Sequence, residues 1–386
     1  MPRGRILKAV PKPKDFGKMP WTEEFRATHP TKILAKYVDN GVRLDDLRDF
    51  LFAEKLVDFR KANLMVDVYK NEQGIVRNDS EVLLEVNVPV CENQCADCDQ
   101  VRFKRTHKCY KNYFDALLKD VMATRELIIK KGYFVKSVCF VGNVMVFDCD
   151  ELEKLMSMCA YALSEICVEV SDVGLVTEEK LQVLKKFNVR FVLNALTFNT
   201  VTLRLLNKHS HIRDVLPVVQ QIVKHGFDLT IRLAVGIGKE RELQLGRNII
   251  ASIEMGADNI ELYARACPKL GNVKNLEADK VPYQRKLHEY VNDYMLEQGF
   301  TPFFLYCTEV DGGCFENIGF KKNKKCKYIE DRILGVSSVL GCGLGAENVR
   351  VKNLQKITTK ANTTHNLEEY LAQIEDIIKE RAEFFG

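Results

Sequence analysis

The chain has 386 residues, enough for one large α/β domain with extensions or for two domains. Its 57 basic and 53 acidic residues nearly cancel, leaving a formal charge of +4, so composition demands neither a nucleic-acid nor a membrane partner. Thirteen cysteines is an odd number, which excludes complete disulfide pairing, and their scatter through apolar segments points to a reducing interior with a metal site.

The start, MPRGRILKAVPKPKDFGKMP, is basic and proline-rich. It lacks the apolar centre of a secretory signal, and its prolines disfavour the amphipathic helix of an organelle-targeting peptide. No apolar run approaches the roughly 18 residues of a membrane span, so a cytoplasmic protein is expected. Residues 1–30 read as an extended arm and 31–60 as two short helices broken at Asn40-Gly41. KANLMVDVYKNEQGIV reads as a strand and turn, completing an N-terminal arm and helical extension over 1–78.

A core spanning 79–300 follows. LLEVNVPV alternates like a strand and opens onto CENQCADC. YKNYFDALLKDVMATRELIIKKG has helical spacing and stops at Gly132. Strands VKSVCFVG, EICVEVS, VRFVLNAL, LTIRLAVGIG and NIELYARAC then alternate with helices, among them one capped by Thr177. This sustained alternation predicts parallel βα units in a full or partial β/α barrel, with its chemistry at the C-terminal ends of the strands. VPYQRKLHEYVNDYMLEQG reads as an amphipathic helix. The rest, 301–386, begins as a Gly- and Cys-rich segment that reads as a site-covering region of tight turns, with a turn at Asp311-Gly312-Gly313. It ends in one closing helix, capped at Asn366 with Glu369 three residues on and an apolar stripe at Leu367, Leu371, Ile374 and Ile378.

The chemistry concentrates in C-x3-C-x2-C. Polar Glu92, Asn93, Gln94 and Asp97 lie between Cys91, Cys95 and Cys98, which argues for a loop rather than three core cysteines. Three thiolates suit one face of a small iron–sulfur cluster and would leave one iron open. A zinc ion is the rival, with Cys109 or His107 as its fourth ligand. Cys307, Cys314, Cys326 and Cys342 leave two readings open, packing or ligands to a second cluster or another metal, with a heme the other cofactor left open. The glycines Gly341, Gly343 and Gly345 suit close backbone approach to a flat or bulky ligand. The lysines of 321–327 read as a solvated loop or as a cradle for acidic groups. His209, Tyr263, Arg265 and Cys267 are weaker candidates for the barrel mouth, and the strand pattern leaves the direction of Glu261 open.

The cysteine motif after a strand resembles that of the radical S-adenosylmethionine (radical SAM) superfamily. The phrases YFDALLKDV, EVSDVGLVTEEKL, ALTFNTVTLRLLNKHS and GGCFENIGF with LGCGLGA are similar to its oxygen-independent coproporphyrinogen III dehydrogenase branch, which includes heme-chaperone and heme-degrading relatives. The resemblance covers about residues 80–350. It implies a [4Fe-4S] cluster on Cys91, Cys95 and Cys98 and S-adenosylmethionine on the free iron. It further implies a 5'-deoxyadenosyl radical that abstracts hydrogen from a tetrapyrrole or other substrate. Glu169, Gly142, Lys208 and Gly236 fall where the family contacts that cofactor, and reduced flavodoxin or ferredoxin would supply electrons. Several positions depart from the family. GNVMV, from Gly142 to Val146, stands for a glycine-rich turn, Leu196 for a glutamine, Lys208 for an arginine and Arg232 for an aspartate. Either the cofactor is held differently here, or the scaffold keeps a cluster without the radical reaction. A zinc-stabilised nucleic-acid-interacting protein is the third reading, motivated by the basic start and the lysine run.

Overall fold

The computed structural model describes residues 80–93, 95, 96, 98, 101–208, 212–235, 237, 240, 242–264, 291, 294–310, 313–334, 337–352, 356–361 and 364–386. The expected N-terminal arm and helices lie outside the described residues, as do Gly236, His209, Arg265, Cys267, Asp311-Gly312 and most of the helix expected near 281–299.

The order begins β1 (Glu81–Val88), α1 (Tyr110–Lys131), β2 (Phe134–Gly142), α2 (Cys149–Cys159), β3 (Glu165–Val170), α3 (Glu178–Leu184) and β4 (Val189–Leu196). It continues through α4 (Thr200–Leu205), α5 (Ile212–Lys224), β5 (Asp228–Val235), α6 (Glu242–Glu254) and β6 (Asn259–Ala264). Then come β7 (Thr301–Val310), β8 (Gly313–Lys321), α7 (Lys327–Leu334), β9 (Ser338–Cys342), β10 (Glu347–Lys352) and β11 (Lys356–Ala361). Helices α8 (Leu367–Ala372) and α9 (Ile374–Phe384) close the chain. Local signals set several boundaries. Gly132 ends α1 in the left-handed conformation, with its N–H on the carbonyls of Ile128 and Ile129. Asp148 and Glu151 close a reciprocal capping box on α2, and the Thr177 hydroxyl caps α3.

One sheet of eleven strands runs β11-β10-β9-β1-β2-β3-β4-β5-β6-β8-β7. From β9 to β6 its neighbours pair in parallel, and β8, β7, β10 and β11 extend it antiparallel. The sheet is open, so the architecture is the partial β/α barrel rather than the full one. The Gly- and Cys-rich stretch after residue 300 is five strands and a helix of this same sheet system, more regular than a set of tight turns.

β1 does not alternate between buried and exposed. Val82, Leu83, Leu84 and Val86 are all fully buried, because the strand sits mid-sheet with both faces covered. The alternation survives as two destinations. Val82, Leu84, Val86 and Val88 join the larger core with the helices, whereas Leu83 joins a smaller core with Cys139, Cys167, Val192 and Phe304. Each buried aliphatic contributes roughly 1.5–3 kcal/mol. The second face also carries the charged side chains on which the site is built.

The C-terminal helix breaks at Gln373 into α8 and α9. Asn366 caps it as expected, but its innermost stripe is Tyr370, Ile377 and Arg381, with Leu367, Leu371 and Ile374 only flanking the core. The reason is polar. Arg381 ion-pairs with the buried Asp120 of α1, Tyr370 donates its hydroxyl to the same carboxylate at 2.9 Å, and Gly343 N–H donates to it at 2.8 Å. The glycines of the late turn serve packing of the chain on itself. A Cβ on Gly341 would meet the Glu347 carbonyl oxygen at 2.5 Å, and one on Gly343 (φ +92°) would meet that of Asn87 at 2.5 Å.

Candidate functional site

The cysteine loop leaves the C-terminal end of β1, where barrel enzymes keep their chemistry. Val90 bridges to Phe103 in parallel, Cys91 N–H donates to Phe103 O at 2.9 Å, and Phe103 N–H donates to Pro89 O at 3.0 Å. Cys98 N–H and the Arg102 guanidinium both donate to Cys95 O at 3.3 Å, curling the loop around that residue. Ala96 N–H donates to Leu206 O at 2.9 Å, and Asn93 reaches Asp172 after β3 at 3.2 Å. Cys91, Cys95 and Cys98 are each half-buried and in no disulfide. Burial pushes the Cys91 thiol up, and the neighbouring Cys98 adds to it.

The loop sulfurs are not all within 4.8 Å of one another; among the described residues the group that meets that spacing is Glu165, Cys167 and Cys326. A single zinc ion, with bonds of about 2.3 Å to sulfur, draws its thiolates closer than that. A cluster gives each thiolate its own iron and sets the sulfurs wider apart. His107 turns its Nδ1 to the backbone N–H of Cys109 at 3.2 Å. The donor set, three thiols on one loop, is of the kind that holds a cluster.

Beside the loop, inside the sheet, lies a charged network drawn from β3, β4, β5 and β6. Arg232 ion-pairs with Glu169, donates to Glu261 at 2.8 Å and reaches Asn194 at 3.3 Å. Tyr263 donates to Glu261 at 2.9 Å and lies under the guanidinium, 6.0 Å from its ring centre. Glu261 thus points inward. Burial alone would lower the Arg232 pKa, but the Glu169 and Glu261 carboxylates more than offset it and hold the guanidinium charged. The second oxygen of Glu169 accepts the Gly142 N–H at 3.2 Å. Gly142 has φ +100°, and a Cβ there would sit 2.5 Å from the Val88 carbonyl oxygen, so only glycine lets β2 leave beside β1. Gly142 and Glu169 are brought together.

The turn after Gly142 is a 3-10 helix, Val144–Val146, with all three side chains buried. Its carbonyls are tied down as well, Met145 O by Lys180 at 2.5 Å and Val146 O by Arg105 at 2.8 Å. Leu196 adopts φ +61°, unusual for a branched side chain, where β4 slips register against β5. It packs with Leu206, Ala234 and Ile237 into a small apolar cluster. Because Leu206 O holds Ala96, this cluster lies against the cysteine loop. Lys208, buried, borders a cavity of about 20 Å³ with Ser171, Asn194 and Thr197.

The late cysteines separate. Cys342 lies in the larger core and donates to Thr124 at 3.2 Å, its thiol pushed up to about 12 by burial and Asp120. Cys326 lies in the smaller core, 3.7 Å from Cys167. These two do not converge on one ligand; the side chains of Cys307 and Cys314 lie outside the description. The Cys326–Cys167 pair touches Glu165, which the fully buried Arg190 holds at 3.0 Å while also reaching Asp228 at 3.2 Å. Sequence reasoning missed Arg190 altogether and took Arg232 only as a departure. The available signal was a lone charge amid apolar strand residues, in VRFVL and LTIRLAV.

No protein-family model matches the chain. It is 21% identical over 354 residues to the oxygen-independent coproporphyrinogen-III oxidase-like protein HemZ of Bacillus subtilis, covering 86% of this chain and 71% of HemZ. Against the heme chaperone HemW of the same organism it is 25% identical over 189 residues, spanning about half of each protein (46% and 49%). The structure superposes on coproporphyrinogen III oxidase (HemN) of Escherichia coli, a radical SAM enzyme, with a TM-score of 0.58 at 16% identity over 78% of this chain and 71% of HemN. The likeness is to the coproporphyrinogen-oxidase-like branch of the radical SAM superfamily. The HemN superposition speaks for the fold alone, and the HemZ match extends the likeness along most of the sequence. No helix among the described residues is long and apolar enough to cross a membrane.

Proposed function

We propose that the chain is a radical SAM enzyme in which Cys91, Cys95 and Cys98 hold a [4Fe-4S] cluster, acting on a tetrapyrrole or another large substrate. The observation that carries this reading is the loop of three half-exposed thiols at the end of β1, braced from β3 and α4. When bound, the cluster and S-adenosylmethionine supply one-electron cleavage to a 5'-deoxyadenosyl radical. The protein's own part is positioning and exclusion of water. Gly142 keeps the ends of β1 and β2 close enough for its N–H to orient Glu169, the carboxylate that would contact the cofactor. Lys208 would present a point charge, without the bidentate fork of arginine, to a carboxylate. The apolar cluster around Leu196 shields the loop's inner side. Reduced flavodoxin or ferredoxin is the proposed electron donor.

A second reading, a cluster or heme carrier without the radical reaction, is favoured by two observations. Arg232 already occupies Glu169, and Val144, Met145 and Val146 fill the turn where glycines would leave room. HemW, a heme chaperone, is a relative that fits this reading. Anaerobic purification followed by S-adenosylmethionine and a strong reductant separates the two. About four irons per chain with release of 5'-deoxyadenosine supports the enzyme. The same iron without release leaves the carrier, and zinc in place of iron sinks both.

A further inference from the structure

We propose that the opposite, N-terminal end of the strands carries a second binding site, a lysine-walled cleft for a compact polyphosphate. The cleft measures about 420 Å³ and lies between the starts of β3, β4 and β5 and the loop joining β8 to α7. That volume is in the range of small-ligand sites. Lys321, Lys324, Lys325 and Lys327 line it, with Arg190, Glu165 and Asp228 as its other charged groups.

The charges do not balance locally. Arg190 engages both carboxylates, Glu165 at 3.0 Å and Asp228 at 3.2 Å. Lys325 pairs with Glu330, outside the lining. Lys324 reaches only Asp228, at 3.7 Å, a carboxylate Arg190 already shares. Lys321 and Lys327 meet no carboxylate within 4.0 Å among the described residues. Lys321 and Lys327, without acids, and Lys324, whose one carboxylate is already shared with Arg190, line the same cleft and repel, and an anion of several charges relieves that repulsion.

The lining also selects the kind of anion. Its uncharged members are Ser164, Asn188, Asn323 and Val189, so it offers no aromatic or broad apolar wall. A flat tetrapyrrole or an unpaired base finds nothing there to stack on. Closely spaced phosphoryl groups, rich in acceptor oxygens, match lysine and amide donors on several sides. The six residues of β3 set this cleft roughly 20 Å from the cysteine end, so the site stands independently of the chemistry proposed there.

The test is isothermal titration of the full chain with sodium tripolyphosphate, pyrophosphate and orthophosphate at physiological ionic strength. Saturable one-to-one binding is expected, tightest for tripolyphosphate, weaker down the series and weakened by salt. The double variant Lys324→Gln/Lys327→Gln should lose at least tenfold in affinity. The control Lys111→Gln/Lys379→Gln removes the same charge from α1 and α9, and should change it less than twofold. Should the double variant fail to fold, Lys324→Gln alone, whose side chain is 77% exposed, must still lose at least threefold. Absence of saturable heat, equal weakening in test and control variants, or a short RNA duplex that binds tighter and displaces tripolyphosphate would each overturn the proposal.

Discussion

Two groups of three cysteines occupy opposite situations in this fold. Cys91, Cys95 and Cys98 sit half-exposed on a loop held by backbone hydrogen bonds. Cys139, Cys167 and Cys326 are fully buried in the smaller core, where desolvation pushes all three thiols up. The difference shows that spacing along the chain and access to solvent, not the number of thiols, decide which cysteines can react or bind metal. Cys167 and Cys326 are close enough, with Glu165, to look like a metal site, yet Arg190 already holds that carboxylate.

The sharpest way to break this contrast is to measure reactivity. In reduced, metal-free protein, iodoacetamide should modify the loop cysteines at least a thousandfold faster than the interior three, because the latter react only from opened states that cost several kcal/mol. Peptide mass spectrometry gives both rates. Comparable rates would mean that the smaller core is not closed.

The interior group also depends on its arginine. Arg190→Met leaves Glu165 buried without its partner beside two thiols, and should cost about 3–5 kcal/mol in urea unfolding. Adding Glu165→Gln should return part of that loss. If Arg190→Met alone costs under about 1 kcal/mol, the pair is not the desolvated one described.

Metal content gives the next contrast. After anaerobic reconstitution, Cys95→Ala should lower iron roughly tenfold or more, since removing a ligand exceeds the effect of disturbing a neighbour of one. Cys167→Ala should leave iron unchanged. The opposite pattern would move the metal to the interior group.

Much of the frame was legible in the sequence because it follows local rules. Period-3.6 stripes, Gly132 and the Thr177 cap mark helices without knowledge of what they pack against. The cysteine loop was legible for the same reason, since its polar spacers directly follow the strand that presents them. What stayed hidden depends on register between distant strands. Arg232 finds Glu169 across β4 and Glu261 on β6, and nothing in LTIRLAV names those partners. Gly341 and Gly343 read as room for a ligand until their neighbours across the sheet, Glu347 and Asn87, are known. The break at Gln373 has no proline or glycine to announce it; the buried Asp120–Arg381 pair favours the register that makes it.

The smallest effect asks whether burial acts on a carboxylate beside the loop's end of the sheet as it does on the interior thiols. Glu240 accepts the Thr197 hydroxyl at 2.8 Å. Burial raises its pKa, and hydrogen bonds from Thr202, Thr197 and Asn248 only partly draw it back. The folded chain therefore holds this proton to a higher pH than the unfolded chain does. Between the ordinary glutamate value of about 4.3 and the raised folded value, the native state binds more protons and stability falls as pH rises. Glu240→Gln keeps an acceptor for Thr197 but removes the titration. Its melting temperature relative to the unmodified protein should therefore climb through that window and level off above it. A difference that stays flat from pH 4 to 8 or declines as pH rises would show that solvent reaches Glu240 freely, and that burial shapes the thiols alone.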